Sequence, residues 1–557
     1  MVNSKPPAGQ GSEELFARLL RNLRPSHQHS AFAATLLLMG SVMLGRIIGY
    51  LREMYVAWAF GAGPKTDAYV AAFTLPDFLF YILAGGTASI TFISIYTRKI
   101  SAGEKREAQE AFNSTITIMT VVIVLGTILV EIFTPQFEQL LFPHFSPEQM
   151  QLCIYLTRIL LPGQIFFYAG GVVSAVLYSR QMFLFPALSP VIYGSSIILG
   201  GLVGAHRFGI AALAYGALAG SFIGPFLINA IGAANVGLRY RLNFNWRNPE
   251  FREWVRLSIP LMLGVSLVSA DDWILRYFAS GGAGDITRLN YAKRLFALPI
   301  SIIGQAAGQA SMPFFAKLFG EGRRADFADS VNKSVYRISA VSMLVTALMI
   351  PAALPFVDLA FRRGRFTFAD SLSTSVYFAW FSLSLALWSA QALYSRGFYA
   401  AGNTLTPMIA STVITAASLP IYATMFHRLD VTGLVMASDI GILMHTVTLA
   451  WLLQRSKLVP LRGLPWTGLG KAFGTALFAG AAAYGVSRSV HISGSRSADL
   501  LAIALIGVTW LAATLLGLWI THSDLPLELR RRGAPATPTV TTPELMVDRT
   551  TTGGVEP

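Results

Sequence analysis

Residues 31–61, AFAATLLLMGSVMLGRIIGYLREMYVAWAFG, decide how this chain is read. The run exceeds the roughly 20 apolar residues that a helix needs to cross the hydrocarbon core of a bilayer. Yet it carries Arg46, Arg52 and Glu53. At a helical rise of 1.5 Å per residue, Arg46 lies roughly 22 Å from the start of the run, and Arg52 and Glu53 roughly 31–33 Å. An ionised side chain at such depth costs about 2.5–3.5 kcal/mol on insertion scales. It must therefore face water or a partner. Arg46, Gly49 and Glu53 follow i, i+3, i+7 spacing and share one helix face. Snorkelling to the outer interface is the plainer reading of Arg52 and Glu53, but it is harder for Arg46. The stretch reads as a membrane span with one wet side.

The rest of the chain agrees. Of 557 residues, 54% are apolar and only 13% charged, and mean hydropathy is +0.54. Soluble domains are about one quarter charged, so a soluble enzyme and a disordered protein are both excluded. A single cysteine, Cys153, excludes an internal disulfide and any multi-cysteine metal site. Further apolar stretches lie near 67–96, 110–134, 152–178, 183–204, 208–236, 254–278, 287–315, 334–360, 374–394, 405–426, 432–454, 466–487 and 499–521. With the first they predict an all-α polytopic membrane protein of about 14 transmembrane helices. The short links 61–66 and 179–182 leave open whether one long helix or two cross there.

Basic residues collect in cytoplasmic loops. One alternate set of loops holds 22 Lys and Arg and the other holds 8. The richer set includes 1–30, which predicts both termini in the cytoplasm. Much of the net charge of +14 is explained in this way. Arg362, Arg363 and Arg365 form the one basic cluster on the poorer side, suited to a headgroup contact or to the mouth of a path. Residues 1–30 lack the apolar core of a signal peptide. Within them, 13–24 (EELFARLLRNLR) form an amphipathic helix suited to the inner leaflet. From 522 the chain turns rich in Pro and Thr, and 522–557 read as a disordered cytoplasmic tail.

Two motifs recur in order. Leu177-Tyr178-Ser179-Arg180 returns as Leu393-Tyr394-Ser395-Arg396, and Leu75-Pro76 as Leu298-Pro299. The second pair precedes the small-residue runs AGGTAS (84–89) and GQAAGQAS (304–311). Duplication of a six-span unit gives an N-lobe at 31–236, a linker at 237–256 and a C-lobe at 257–455. The pseudo-symmetric lobes share one orientation, and 466–521 add two helices outside the repeat. Such halves enclose a path and rock to expose it alternately.

Lys293 and Arg294 fall in the outer half of the eighth span, at a depth similar to that of Arg52. Intramembrane cations contributed by both lobes suit a polyanion such as diphosphate, because guanidinium offers paired planar donors and keeps its proton. Acids are fewer. Asp67 opens the second span and could simply cap a helix, Asp77 follows a proline, Asp271 and Asp272 lie in the seventh span, and Asp439 lies in the twelfth. Intramembrane carboxylates suit Na⁺ or H⁺ coupling, or neutralisation of an arginine. Metalloprotease, hydrolase and phosphate-loop motifs are absent, so no catalytic residue, metal or cofactor is expected, and nucleic acid is not a partner.

The stretch GRIIGYLREMYVAWAFGAGPKTDAYVAAFTLPDFL (45–79) resembles the opening of the MurJ (MviN) family, lipid II flippases of the superfamily that includes the MATE exporters. Similarity continues in FPALSP (185–190), in LNYAKRLFALPISIIGQAAGQASMPFFAK (289–317) and in RGFYAAGNTLTP (396–407). The resemblance implies fourteen helices in a bacterial inner membrane and a role in peptidoglycan and cell wall biogenesis. It implies translocation of undecaprenyl-diphosphate-linked precursor from the inner to the outer leaflet by alternating access. Arg46, Arg52 and Arg294 match its cavity arginines, which surround the diphosphate. Glu53 stands where Asp is usual, Asp67 matches the acid of the TDA motif, and Lys293 supports. The extra helices at 466–521 would form a groove for the prenyl tail among membrane lipids. Where the family carries paired arginines and Ala-Glu-Gly, this chain has Phe80, Tyr81 and Ala84-Gly85-Gly86. Ser418 and Tyr422 stand where some members use Asn and an acid for sodium. Asp271, Asp272 and Asp439 are the candidates for ion coupling. A flippase for another polyprenyl-diphosphate oligosaccharide and a cation-coupled MATE-type exporter are the alternatives, and a scaffold for cell-wall enzymes is a third class.

Overall fold

The computed structural model describes residues 31–84, 86–263, 267–490 and 495–530, and among them every regular element is a helix. The first span is α1 (Ala31–Phe60). The second is broken into α2 (Pro64–Ala71), α3 (Thr74–Ala84) and α4 (Gly86–Ser101). Next come α5 (Lys105–Leu141), α6 (Pro147–Leu160), α7 (Gly163–Ser179), α8 (Leu184–Phe208), α9 (Ala211–Ser221) and α10 (Asn229–Asn235). The seventh span comprises α11 (Pro249–Leu263) and α12 (Leu267–Phe278), and the eighth comprises α13 (Asp285–Pro299) and α14 (Ala306–Gly320). Then follow α15 (Arg324–Met349), α16 (Ala353–Phe361), α17 (Phe368–Leu383), α18 (Leu385–Ala400) and α19 (Leu405–Arg455). The last are α20 (Trp466–Ser489), α21 (Arg496–Ile520) and the short α22 (Leu525–Arg530).

Among the described residues, seven helical stretches are by themselves long and apolar enough to cross a membrane. Two bent pairs, α15 with α16 at 72° and α17 with α18 at 44°, raise this to nine. The element order is consistent with fourteen passes. α19 makes two of them, because Asp430 leaves helical geometry at φ 53° and turns the chain. Both short links are real breaks between helices: α1 ends before 61–66, and α7 ends at Ser179.

Proline and glycine set the breaks. Pro225 and Pro299 have no N–H to close an i→i−4 bond. Each lies in or beside a wide π-helical turn, Phe222–Ile228 and Ile300–Gln305 respectively, a known way to absorb an interrupted ladder.

Packing produces a wedge. At one end both lobes share a core in which Val56, Tyr69 and Ala72 meet Tyr291, Phe361 and Phe366. Away from it the lobes have separate cores, one around Phe92, Phe112 and Trp254 and another around Phe315, Phe327 and Tyr394. The shared end is sealed by backbone. Arg365 N donates to Trp58 O at 3.1 Å. Gly364 sits at φ 59°, where a Cβ would come within 2.2 Å of Trp58 O.

Two details depart from the expected boundaries. The first half of the seventh span packs on the N-lobe, with Phe251 and Trp254 in its core and Glu250 bonded to Lys99 at 3.0 Å. Residues 525–530 are helical, and Arg337 pairs with Glu528, so ordered structure continues past 522. The extra pair packs on the C-lobe through Ala472, Ala476, Ala479 and Ala483 on α20, and Trp510 Nε1 of α21 donates to Leu344 O at 2.8 Å. Small residues allow this close approach. The amphipathic segment 13–24 and the tail beyond 530 lie outside the described residues.

Candidate functional site

The wet face of α1 ends at a buried acid. Glu53 is 7% exposed; its Oε1 accepts from Arg52 Nη2 at 2.6 Å and lies 3.8 Å from Arg294 Nε. Arg52 belongs to the first lobe and Arg294 to the second. Guanidinium groups of both lobes thus meet on one carboxylate, near the shared end of the wedge. Arg294 is about half exposed (52%) and opens into a chamber of about 510 Å³ lined by α12, α13, α14, α17, α18 and α19, all of the second lobe.

The two adjacent cations of the eighth span have different surroundings. Lys293 is clamped between Asp271 and Asp272, and the Tyr422 hydroxyl donates to Asp271. Its charge is neutralised inside the second lobe. Consecutive residues on a helix point about 100° apart, so Lys293 turns to α12 at the chamber wall while Arg294 turns towards Glu53. Asp271 and Asp272, expected as candidates for ion coupling, already hold an ammonium. Asp439 has both carboxylate oxygens buried beside Ser384.

Arg46 is exposed on α1 two turns before Glu53, and Gly49 between them faces open space. Among the described residues no ion pair engages Arg46. It shares the wet face but stands apart from the Glu53 cluster.

Asp67 lies at the shared end instead. Its carboxylate accepts from the backbone N–H of Gly284, from Thr287 N at 2.9 Å and from Thr287 Oγ1 at 2.6 Å. An N-lobe acid therefore caps the first turn of C-lobe α13, where unpaired N–H groups and the helix dipole favour an anion. The basic cluster at 362–365 lies at the same end. Arg362 pairs with Asp358 at 2.8 Å and stacks on Phe368, while Arg363 donates to Leu359 O.

Residues missed in the sequence also line the site. Arg276, in the last turn of α12, reaches across the lobes and donates to Thr74 Oγ1 at 3.0 Å. It resembles an ordinary end-of-span anchor until the fold turns it inward. The far side of the chamber carries Gln305, Gln309, Gln391 and Arg396. Gln305 and Gln309 belong to the GQAAGQAS run and Arg396 closes the repeated Leu-Tyr-Ser-Arg motif, whereas Gln391 lies in neither. Gly85 of its N-lobe counterpart lies outside the described residues.

Among curated relatives, the chain is 25% identical over 439 residues to a probable lipid II flippase MurJ of Rhizobium meliloti (strain 1021), covering 76% of this chain and 81% of that protein. A solved lipid II flippase MurJ in an inward closed conformation superposes with a TM-score of 0.72 at 21% identity, over 87% of this chain and 99% of that one. An inward-facing multidrug resistance MATE family transporter of the MOP superfamily reaches 0.60 at 17% identity, over 76% and 98%. The fold is therefore that of a multi-pass membrane transporter. The family model described as Lipid II flippase MurJ matches residues 56–504, from the end of the charged first span to the last long helix, and the chain belongs to that family.

Proposed function

We propose that this protein moves lipid II, the undecaprenyl-diphosphate-linked peptidoglycan precursor, from the inner to the outer leaflet of the bacterial cytoplasmic membrane. One observation carries the reading: Arg52 and Arg294, from opposite lobes, converge on Glu53 beside a chamber that runs from Arg294 to Gln309 and Arg396. The loop-charge asymmetry supports a cytoplasmic open end and cytoplasmic termini. The lobes 31–236 and 257–455 then rock about their contacts, with α20 and α21 beside the path of the prenyl tail.

Glu53 acts as a stand-in anion. It keeps two guanidinium groups close without a substrate, and an arriving diphosphate takes over their donors. Phosphate oxygens form strong paired bonds with Arg, while Arg46 on the same face draws the anion inward. An inside-negative potential favours outward movement of the diphosphate by about 2.3 kcal/mol per charge per 100 mV.

Replacement of a depleted lipid II flippase tests the reading. The wild-type gene is expected to restore growth and an Arg52→Ala variant, present in the membrane at equal level, is not. Failure of the wild type to rescue points to another lipid-linked saccharide. Equal rescue by both genes removes the arginines from the mechanism.

Asp271 and Asp272 do not hold Na⁺ in this cycle, because Lys293 occupies the space between them that a soluble cation would need. In proteoliposomes, exchanging Na⁺ for K⁺ at constant membrane potential is expected to leave the lipid II flipping rate unchanged within about twofold, less than 0.5 kcal/mol. A rate that follows Na⁺ concentration would show that the clamp opens.

A further inference from the structure

The run GQAAGQAS (304–311) divides into two faces. Gly304 and Gly308 point at α18. A Cβ on Gly304 would lie 3.0 Å from Ser389 Oγ, and one on Gly308 would touch Ala392 and Arg396 at 3.7 Å. These glycines let the eighth and tenth spans pack closely. Gln305 and Gln309, one residue on, face the chamber and are exposed to it. Among the described residues neither amide bonds to another side chain. Asn290, Arg294, Ser301, Gln305 and Gln309 recur at intervals of 4, 7, 4 and 4 and make one stripe along the eighth span. Opposite them on α18, Gln391 donates to Ser395 Oγ at 3.1 Å, and Arg396 lies over the Tyr399 ring, 5.6 Å from its centroid.

We propose that this amide-lined wing is the subsite for the saccharide–peptide head of the lipid-linked diphosphate, distinct from the arginines that take the diphosphate itself. The inference rests on the flippase reading and names the part of the substrate that this side of the chamber selects. Carboxamides donate and accept at once and carry no charge. They match sugar hydroxyls and N-acetyl or peptide amides, which also do both. Trp388 and Tyr399 in the same wall give flat apolar faces for a sugar ring. Arg396 is placed for a peptide carboxylate. From Arg294, Gln305 and Gln309 lie ~16 and ~22 Å along the helix, room for a head that extends beyond the diphosphate. The volume falls within the roughly 300–1,000 Å³ of small-molecule sites. An organic cation would find one carboxylate in this lining, Asp272, already paired with Lys293.

The test compares two lipids with the same tail and diphosphate, lipid II and undecaprenyl diphosphate, which lacks the head. Binding to the full-length protein in nanodiscs is measured by native mass spectrometry. The wild type is expected to prefer lipid II about tenfold, the worth of one or two neutral hydrogen bonds. The double variant Gln305→Leu/Gln309→Leu is expected to lose that preference while holding undecaprenyl diphosphate as the wild type does, which also shows that it folds. Arg294→Ala is expected to weaken both lipids. A double variant that keeps the preference, or weakens both lipids equally, overturns the subsite. A wild type that binds neither lipid overturns the flippase reading, and the subsite with it.

Discussion

Arg294→Ala is expected to slow lipid II flipping in proteoliposomes about 10- to 100-fold while leaving the thermal midpoint almost unchanged. The two halves of this expectation have different physical origins. Arg294 lies 3.8 Å from Glu53 and its side chain is half exposed, so the resting pair is long and hydrated. Such pairs contribute about 0–1 kcal/mol. A diphosphate in the chamber would instead take charge-assisted bonds from the same group, at roughly 1.5–3 kcal/mol each. Arg52 behaves differently, because it is the near partner of a buried acid, and removing one member of a buried pair costs about 3–5 kcal/mol. Arg294 is thus the cleaner probe of transport. Arg294→Lys should recover part of the rate, since the charge returns without the paired donors. A normal flipping rate in Arg294→Ala would remove the C-lobe cation from the mechanism.

The second large effect is expected at the opposite end of the lobes. Asp67→Ala removes three bonds that join the N-lobe to the start of α13. Those bonds form only while the shared end is closed. At roughly 1 kcal/mol or more each, their loss shifts the balance between closed and open ends by about 100-fold. Spin labels at Lys65→Cys and Arg365→Cys, exposed positions on either side of the seam, would report it. The distance distribution is expected to narrow around a short separation in the parent and to gain a longer component in Asp67→Ala. Gly364→Ala should act in the same direction for a steric reason, since its Cβ cannot coexist with Trp58 O at 2.2 Å. An unchanged distribution in both variants would mean that the shared core alone holds this end together.

The fold class was legible in the sequence because a bilayer imposes simple rules. Apolar runs of sufficient length, recurring along the chain, read as spanning helices, and the place of Arg46, Arg52 and Arg294 along those helices follows from a fixed rise per residue. The repeated motifs gave two lobes, and the charged first span gave the side of the molecule where they face each other. Position along a helix is a one-dimensional quantity, and it is read directly from the residue number.

Partnership was left to the tertiary structure. Lys293 and Arg294 are neighbours in the chain with similar charge and depth, yet one is locked between Asp271 and Asp272 and the other opens into the chamber. Nothing local distinguishes them, because the difference is set by the direction each side chain takes about the helix axis and by which helix stands there. Asp67 is a similar case. Its own segment suggests a cap for α2, whereas its oxygens satisfy the first turn of a helix more than two hundred residues later. Gln305 and Gln309 join the site only after the π-turn at Ile300–Gln305 and the Gly304 contact fix the rotation of the eighth span, and Arg276 joins it only where α12 turns it towards Thr74 of the other lobe. The sequence determined where each charge lies along its helix, and long-range packing decided what each one meets.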